Sequence, residues 1–147
     1  MTMSDSAPLM LSVSGARGIV DASMNEDVAA RFAAAWGLIL VEQSPDETPH
    51  ACLGRDSRPS GEKLAKAAAL GLNSVGCDVI DLGLVTTPTV GVMVTATGAA
   101  GGMVITASHN PNPWNGLKCI DASGAAPPGE VADDLIARFR ASGDGPV

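Results

Sequence analysis

The sequence predicts an α/β fold, a single three-layer domain in which a mixed, largely parallel sheet is flanked by helices. Short apolar runs alternate three times with longer segments of helical period, the pattern of parallel strands joined by crossover helices. Glycine and proline, 17 and 10 residues respectively, gather at the boundaries between these runs and punctuate them. A length of 147 residues with 46% hydrophobic side chains is enough to bury one core without a disulfide or a metal.

Leu9 to Val13 is short and apolar and reads as a strand, followed by a glycine-flanked loop at Ser14–Gly18 and a brief extended return at Ile19–Val20. Ser23 with Glu26 three residues on is a capping-box signature for a helix from Met24 to Val41, whose Val28, Phe32, Ala35 and Ile39 share one face. Gln43 to Pro49 is a polar loop, and Ala51–Leu53 a second strand that runs into Gly54-Arg55-Asp56-Ser57-Arg58-Pro59-Ser60-Gly61. A helix from Gly61 to Val75 follows, with Leu64, Ala67, Ala68, Gly71 and Leu72 at three- and four-residue spacings and Gly76 as its stop. Asp78–Gly83 alternates as a strand, and Thr87-Pro88 opens a helix through Ala96, since proline suits a first helical turn. Gly101–Thr106 is the next strand and Leu117–Ile120 a short return, with antiparallel pairing expected at both returns. Gly129–Arg140 closes the domain as a helix, acidic early and basic late in accord with its dipole. Residues 1–140 are therefore assigned to the domain, and 141–147, small and polar with breakers, to a linker.

Composition narrows the function. The formal charge of −7 repels polyphosphate backbones. Two Trp, two Phe and no Tyr leave few platforms on which bases could stack, so a nucleic-acid partner is not expected. Cys52, Cys77 and Cys119 are odd in number and widely spaced, which suggests reduced buried thiols rather than a disulfide framework or zinc site. With no signal-like start and no run of membrane-spanning length, a cytoplasmic protein without a membrane partner is expected. Of the nine Lys and Arg, Arg17, Arg55, Arg58 and Lys118 fall in Gly/Ser/Pro-rich turns. Positive charge is placed at loop tips.

The chemistry concentrates after the strand at Gly101–Thr106, where Ala107-Ser108-His109-Asn110-Pro111 must turn because Pro111 and Pro113 oppose both helix and ladder. Ser108 is presented on that bend, Lys118 can fold back toward it, and the amides between Thr106 and Asn110 can cradle anionic oxygens. A Ser-His hydrolase fits poorly, because adjacent side chains seldom face each other and no G-x-S-x-G elbow occurs. Neither G-x-G-x-x-G nor a P-loop is present. His109 suits a backbone carbonyl as well as a proton transfer, and Arg17 suits solvent as well as a phosphate. Arg55, Asp56 and Arg58 suit an ion-pair network that fixes their own turn, and Trp114 suits a lid or a plug.

Thr106-Ala107-Ser108-His109-Asn110-Pro111 with Asn115-Gly116-Leu117-Lys118 resembles the phosphoserine loop of the α-D-phosphohexomutases. Ser14-Gly15-Ala16-Arg17-Gly18 and Gly54–Gly61 are similar to that family's S-G-x-R-G and G-x-D-x-R-x-S-G motifs, in the same order. The resemblance covers roughly residues 9 to 140 and implies the first of four domains. It implies that Ser108 carries a phosphoryl group between the ends of a hexose phosphate through a hexose 1,6-bisphosphate, with His109 and Lys118 catalytic and Arg17 and Asn110 binding phosphate. It also implies Mg2+ held by the Ser108 phosphate together with a D-G-D-x-D-R cluster on the second domain. That cluster is absent from this sequence, and Asp133-Asp134 does not replace it, since neighbouring helical residues point apart. On this view domains 2–4 are the partners of the chain, which alone turns over little or no substrate. The segment Pro113–Lys118 leans toward the phosphoglucosamine and phosphomannomutase branches. The rival expectation is a non-catalytic module that binds sugar phosphates or docks onto a partner through the same loops.

Overall fold

Alternation along the strands sets the architecture of the computed structural model, which describes residues 8–143. Ten elements follow one another: β1 (Met10–Ser12), β2 (Gly15–Ile19), α1 (Glu26–Glu42), β3 (His50–Arg55), α2 (Gly61–Ser74), β4 (Asp78–Leu84), α3 (Thr87–Thr97), β5 (Gly101–Ile105), β6 (Trp114–Ile120) and α4 (Gly129–Ala141). One six-stranded sheet runs in the order β1-β2-β6-β5-β3-β4. β3 pairs in parallel with β4 and β5, whereas β1–β2, β2–β6 and β5–β6 are antiparallel. The sheet is thus mixed, parallel at the β5-β3-β4 end and antiparallel toward β1.

Successive side chains of a strand point to opposite faces, and two cores result. Ala51, Leu53, Met103, Ile105, Leu117 and Cys119 pack with α1, α2 and α4 around Phe32, Trp36, Leu40, Leu64 and Leu72. Cys52, Val104 and Ile120 face the other way, onto Val90 and Val94 of α3. Burying each large apolar side chain contributes roughly 1.5–3 kcal/mol, so the first layer carries most of the stability. Trp36 also donates its indole N–H to the Gly102 carbonyl at 3.1 Å, which satisfies the polar atom of a buried ring.

Four local expectations are corrected. The segment expected as a loop at Ser14–Gly18 is mostly strand: β2 lies between β1 and β6, with Ala16 fully buried. Gly15 serves both the hairpin turn at Val13-Ser14, at φ 115°, and a close approach, since a Cβ there would sit 1.9 Å from the Leu117 carbonyl oxygen. The cap of α1 is Asn25, not Ser23: Asn25 Oδ1 accepts from the Val28 amide at 2.8 Å. Ser23 instead accepts from the Ile19 amide at 2.9 Å and closes the turn after β2. β6 also begins earlier than expected, at Trp114. Of the expected linker, Ala141 ends α4 and Ser142 caps it, and residues 144–147 lie outside the described residues. No helix among the described residues is long and apolar enough to cross a membrane.

Candidate phosphoryl site

In an open α/β sheet, ligands bind at the carboxyl ends of the strands, where connections leave toward opposite faces. Here the connections after β3 and β4 leave toward opposite faces. The chain leaves β3 through α2 on the large-core face and returns to β5 through α3 on the other. The parallel strands β3, β4 and β5 therefore send their following loops to one edge.

Ser108 stands on the loop after β5, exposed, at φ 56°. This left-handed conformation costs a residue with a Cβ about 1–2 kcal/mol, so its surroundings must hold it there. The Ser108 amide donates to Thr106 Oγ1 at 3.0 Å, and the Asn110 amide to the Ala107 carbonyl at 3.1 Å. Two of the amides expected to cradle an anion are thus engaged within the turn itself.

Arg17 and Lys118 reach the same place from adjacent strands. Ala16 and Leu117 pair across β2 and β6 and face the large core, so Arg17 and Lys118, one step along each strand, face the side of α3. Gly116, opposite Arg17, allows this approach because a Cβ there would lie 2.3 Å from the Ala16 carbonyl oxygen. Ser14, Arg17, Thr87, Thr106, Ser108, Leu117 and Lys118 line one cavity of about 70 Å³. Arg17 Nη1 also donates to Asn110 Oδ1 at 3.1 Å. Neither Arg17 nor Lys118 meets a carboxylate among the described residues, while Arg31, Arg58, Lys63, Lys66 and Arg138 each do. Two cations beside a serine, left without anionic partners, suit an anion supplied from outside.

The structure thus brings Ser108, Arg17 and Lys118 together with Asn110 at the rim. His109 is exposed and does not line the cavity. Arg55 lines a separate cavity with Glu62, Lys66 and Asp81. Asp56 and Arg58 do form the expected ion pair, but their reach is wider than their own turn. Arg58 donates to the carbonyls of Ser108 (2.8 Å), Pro111 (3.0 Å) and Trp114 (3.3 Å). Trp114 is half-buried and is tied to Arg58 through its backbone. Buried Asn115 completes the junction by donating to Ser60 Oγ at 2.8 Å. Ser14, Thr87 and Thr106 escaped the sequence reading as site residues. Ser14 and Thr106 stand inside the motifs that carry the resemblance, which was the available signal, whereas Thr87, the first residue of α3, had none.

A divalent cation at Ser108 would find few ligands in this chain. Both Asp56 oxygens are occupied, by Arg58 and by the Thr106 hydroxyl at 2.7 Å. Among the described residues no three His, Cys, Asp or Glu side chains converge. A larger cavity of about 350 Å³ lies between α1, α2 and α4, but Arg31 and Arg138 on its wall are already paired with Asp27 and with Glu42 and Asp134. We therefore place the site at the small polar cavity.

The chain is similar to known proteins along most of its length. Residues 9–144 match the family model described as phosphoglucomutase/phosphomannomutase, alpha/beta/alpha domain I. The chain is 40% identical over 129 residues to a phosphoglucosamine mutase of Kineococcus radiotolerans, covering 88% of this chain and 28% of that protein. It is 42% identical over 110 residues to a phosphoglucomutase/phosphomannomutase of Thermococcus kodakarensis, covering 75% and 24%. A crystal structure of a phosphoglucomutase/phosphomannomutase family protein from Burkholderia thailandensis superposes with a TM-score of 0.74 at 30% identity, covering 90% of this chain and 31% of that one. The chain therefore spans less than a third of the length of each of these relatives.

Proposed function

Because this chain belongs to the phosphoglucomutase/phosphomannomutase family, as its α/β/α domain I, we propose that it is the phosphoryl-carrying domain of a phosphosugar mutase, with Ser108 as the carrier. Phosphoserine 108 gives its phosphoryl group to one hydroxyl of a hexose phosphate. The Oγ–P bond breaks as the sugar O–P bond forms, and the proton lost by the sugar hydroxyl ends on Ser108 Oγ. The resulting hexose 1,6-bisphosphate then returns the phosphoryl from its other end, and the same bonds are exchanged in reverse.

What carries this reading is an exposed serine, held in a left-handed turn, sharing a small polar cavity with two cations that lack carboxylate partners. Phosphoryl transfer asks a protein mainly for positioning and charge neutralisation. Lys118 offsets charge on the transferring group or relays the proton, and Arg17 grips phosphate oxygens as a planar fork with Asn110 orienting it. His109, on the solvent side of the loop, is placed to carry a proton outside the cavity. A cavity of about 70 Å³ suits a phosphoryl group, while sugar recognition is assigned to the family's other domains. Mg2+ would be held by the Ser108 phosphoryl oxygen and by ligands outside this chain, and when bound it would spread the charge of the moving phosphoryl. The names of the relatives favour a hexosamine phosphate among the possible substrates. Three free, buried cysteines are in keeping with a cytoplasmic setting.

Intact-mass and peptide mass spectrometry after incubation with a hexose 1,6-bisphosphate tests the proposal. In the longer protein that carries this domain, the peptide that contains Ser108 should gain one phosphoryl group, and Ser108→Ala should gain none while remaining folded. Phosphoryl gain in Ser108→Ala, or labelling of Ser108 by a fluorophosphonate with no phosphoryl uptake, would overturn it.

A further inference from the structure

We infer that the Asp56–Arg58 ion pair, carried on the loop after β3, is the positioning device that holds Ser108 in its reactive conformation. The inference rests on the reading of Ser108 as phosphoryl carrier and adds Asp56 and Arg58, which do not line the cavity. The two peptide groups flanking the Ser108 Cα are both held from this one pair. On the amide side, Asp56 Oδ2 accepts from the Thr106 hydroxyl at 2.7 Å, and Thr106 Oγ1 accepts in turn from the Ser108 amide at 3.0 Å. On the carbonyl side, Arg58 Nη2 donates to Ser108 O at 2.8 Å. The pair is itself closed by Arg58 Nε on Asp56 Oδ2 at 3.2 Å and by the Arg58 amide on Asp56 Oδ1 at 3.2 Å.

Such a device is needed because Ser108 occupies the left-handed region, at φ 56°. Glycine would adopt that conformation freely, but a nucleophile needs a side chain, so outside contacts must hold the backbone. The guanidinium suits the task. Its side chain is only 9% exposed, and it spans three carbonyls, those of Ser108, Pro111 and Trp114, with a rigid fork that an ammonium lacks. The Asp56 amide also donates to the Ile105 carbonyl at 3.1 Å, so the clamp is anchored to the end of β5, the strand that feeds the loop. Without the clamp, Ser108 Oγ would sample directions away from Arg17 and Lys118, and misplacement of this kind slows a positioned reaction steeply.

Residue-resolved amide exchange by NMR in this chain, combined with phosphoryl uptake at Ser108 from a hexose 1,6-bisphosphate in the longer protein that carries it, tests the device. In Arg58→Gln the hydrogen-bonded amides of Ser108, Asn110 and Trp114 should exchange about tenfold faster or more, as expected for loss of one or two such contacts. Those of Met103–Ile105 in β5 should keep their protection. Thr106→Val, which keeps shape and removes the relay hydroxyl, should expose the Ser108 amide in the same way, and it decides the matter if Arg58→Gln does not fold. Phosphoryl uptake should fall at least about tenfold in both variants. Arg58→Lys should not restore it, and Arg55→Gln should leave it unchanged. Unaltered loop exchange, equal loss of protection across the whole sheet, or full uptake with a loosened loop would each overturn the inference. If the longer wild-type protein that carries this domain takes up no phosphoryl group at Ser108, the carrier reading fails, while the exchange data still decide whether the pair holds the loop.

Discussion

At the residue scale the cavity separates charges that serve the fold from charges that serve a ligand. Arg31 lies over the Phe139 ring at 4.9 Å and donates to Asp27 at 2.8 Å, so its cation is fully used inside the molecule. Lys118 sits beside Ser108, half-buried on β6, with no carboxylate in reach among the described residues. A partly desolvated cation with no internal partner stabilises the folded chain little, but it meets a developing phosphoryl charge at full strength. Lys118→Met, which preserves the apolar stem, should therefore slow phosphoryl uptake at Ser108 by roughly 10²–10³-fold and leave the thermal midpoint close to that of the wild type. Parallel losses of rate and midpoint would make Lys118 a structural residue. Ser108 itself shows the complementary case, a side chain whose backbone bears strain so that its oxygen stays in reach.

At the element scale, α4 is the helix most dependent on surface charge. It packs through Leu135 and Phe139, whose ring meets Phe32 edge-on at 5.6 Å, and its outer side is fastened by Arg138 to Glu42 at the end of α1 and to Asp134. The Arg138 hydrogen bond and charge hold the Glu42 carboxyl below its ordinary value of 4.5. A depressed carboxyl contributes stability at pH above that ordinary value and loses it as acid protonates the folded form. Denaturation midpoints should thus fall on acidification below pH 4.5 more steeply in the wild type than in Glu42→Gln, and the difference should shrink in high salt, because the pair is exposed. Identical acid limbs would show that the tie contributes nothing. The helices themselves were legible in the sequence, because a repeating apolar face such as Leu64, Ala68 and Leu72 fixes both period and buried side. β2 was not legible, because Gly15 and Gly18 signal a turn locally and their reason, contact with Leu117 and Ser23, lies elsewhere in the chain or on its far side. The site divides in the same way. Ser108, Arg17, Asn110 and Lys118 announce themselves as motifs, whereas the grip of Arg58 on a loop 50 residues away leaves no local pattern.

At the scale of the whole molecule the two faces of the sheet are unequal, and the weaker one adjoins the site. Among the described residues three helices cover one face, and α3 alone covers the other, over a small cluster of Cys52, Val90, Val94, Ala99, Val104 and Ile120. α3 carries no charged residue, and Val92 on its outer side is 63% exposed. Elements with few buried apolar contacts open at lower free energy than the core of a domain, so the amides of α3 should exchange faster than those of α1 in the native state. Yet Thr87, in the first turn of α3, lines the cavity at Ser108. A phosphoryl group brings about −1.5 to −2 charges, placed here beside a helix N-terminus, where negative charge is favourable by roughly 0.3–1 kcal/mol. Anything that binds only the closed arrangement stabilises it. Phosphorylation of Ser108 should therefore slow exchange in α3 by severalfold while α1 and α2 change little, and the effect should diminish as salt screens the charges. Equal protection of α3 and α1 before phosphorylation would remove the premise of unequal faces. A phosphoryl group that left α3 unchanged would show that it points away from the cavity shared by Thr87, Arg17 and Lys118.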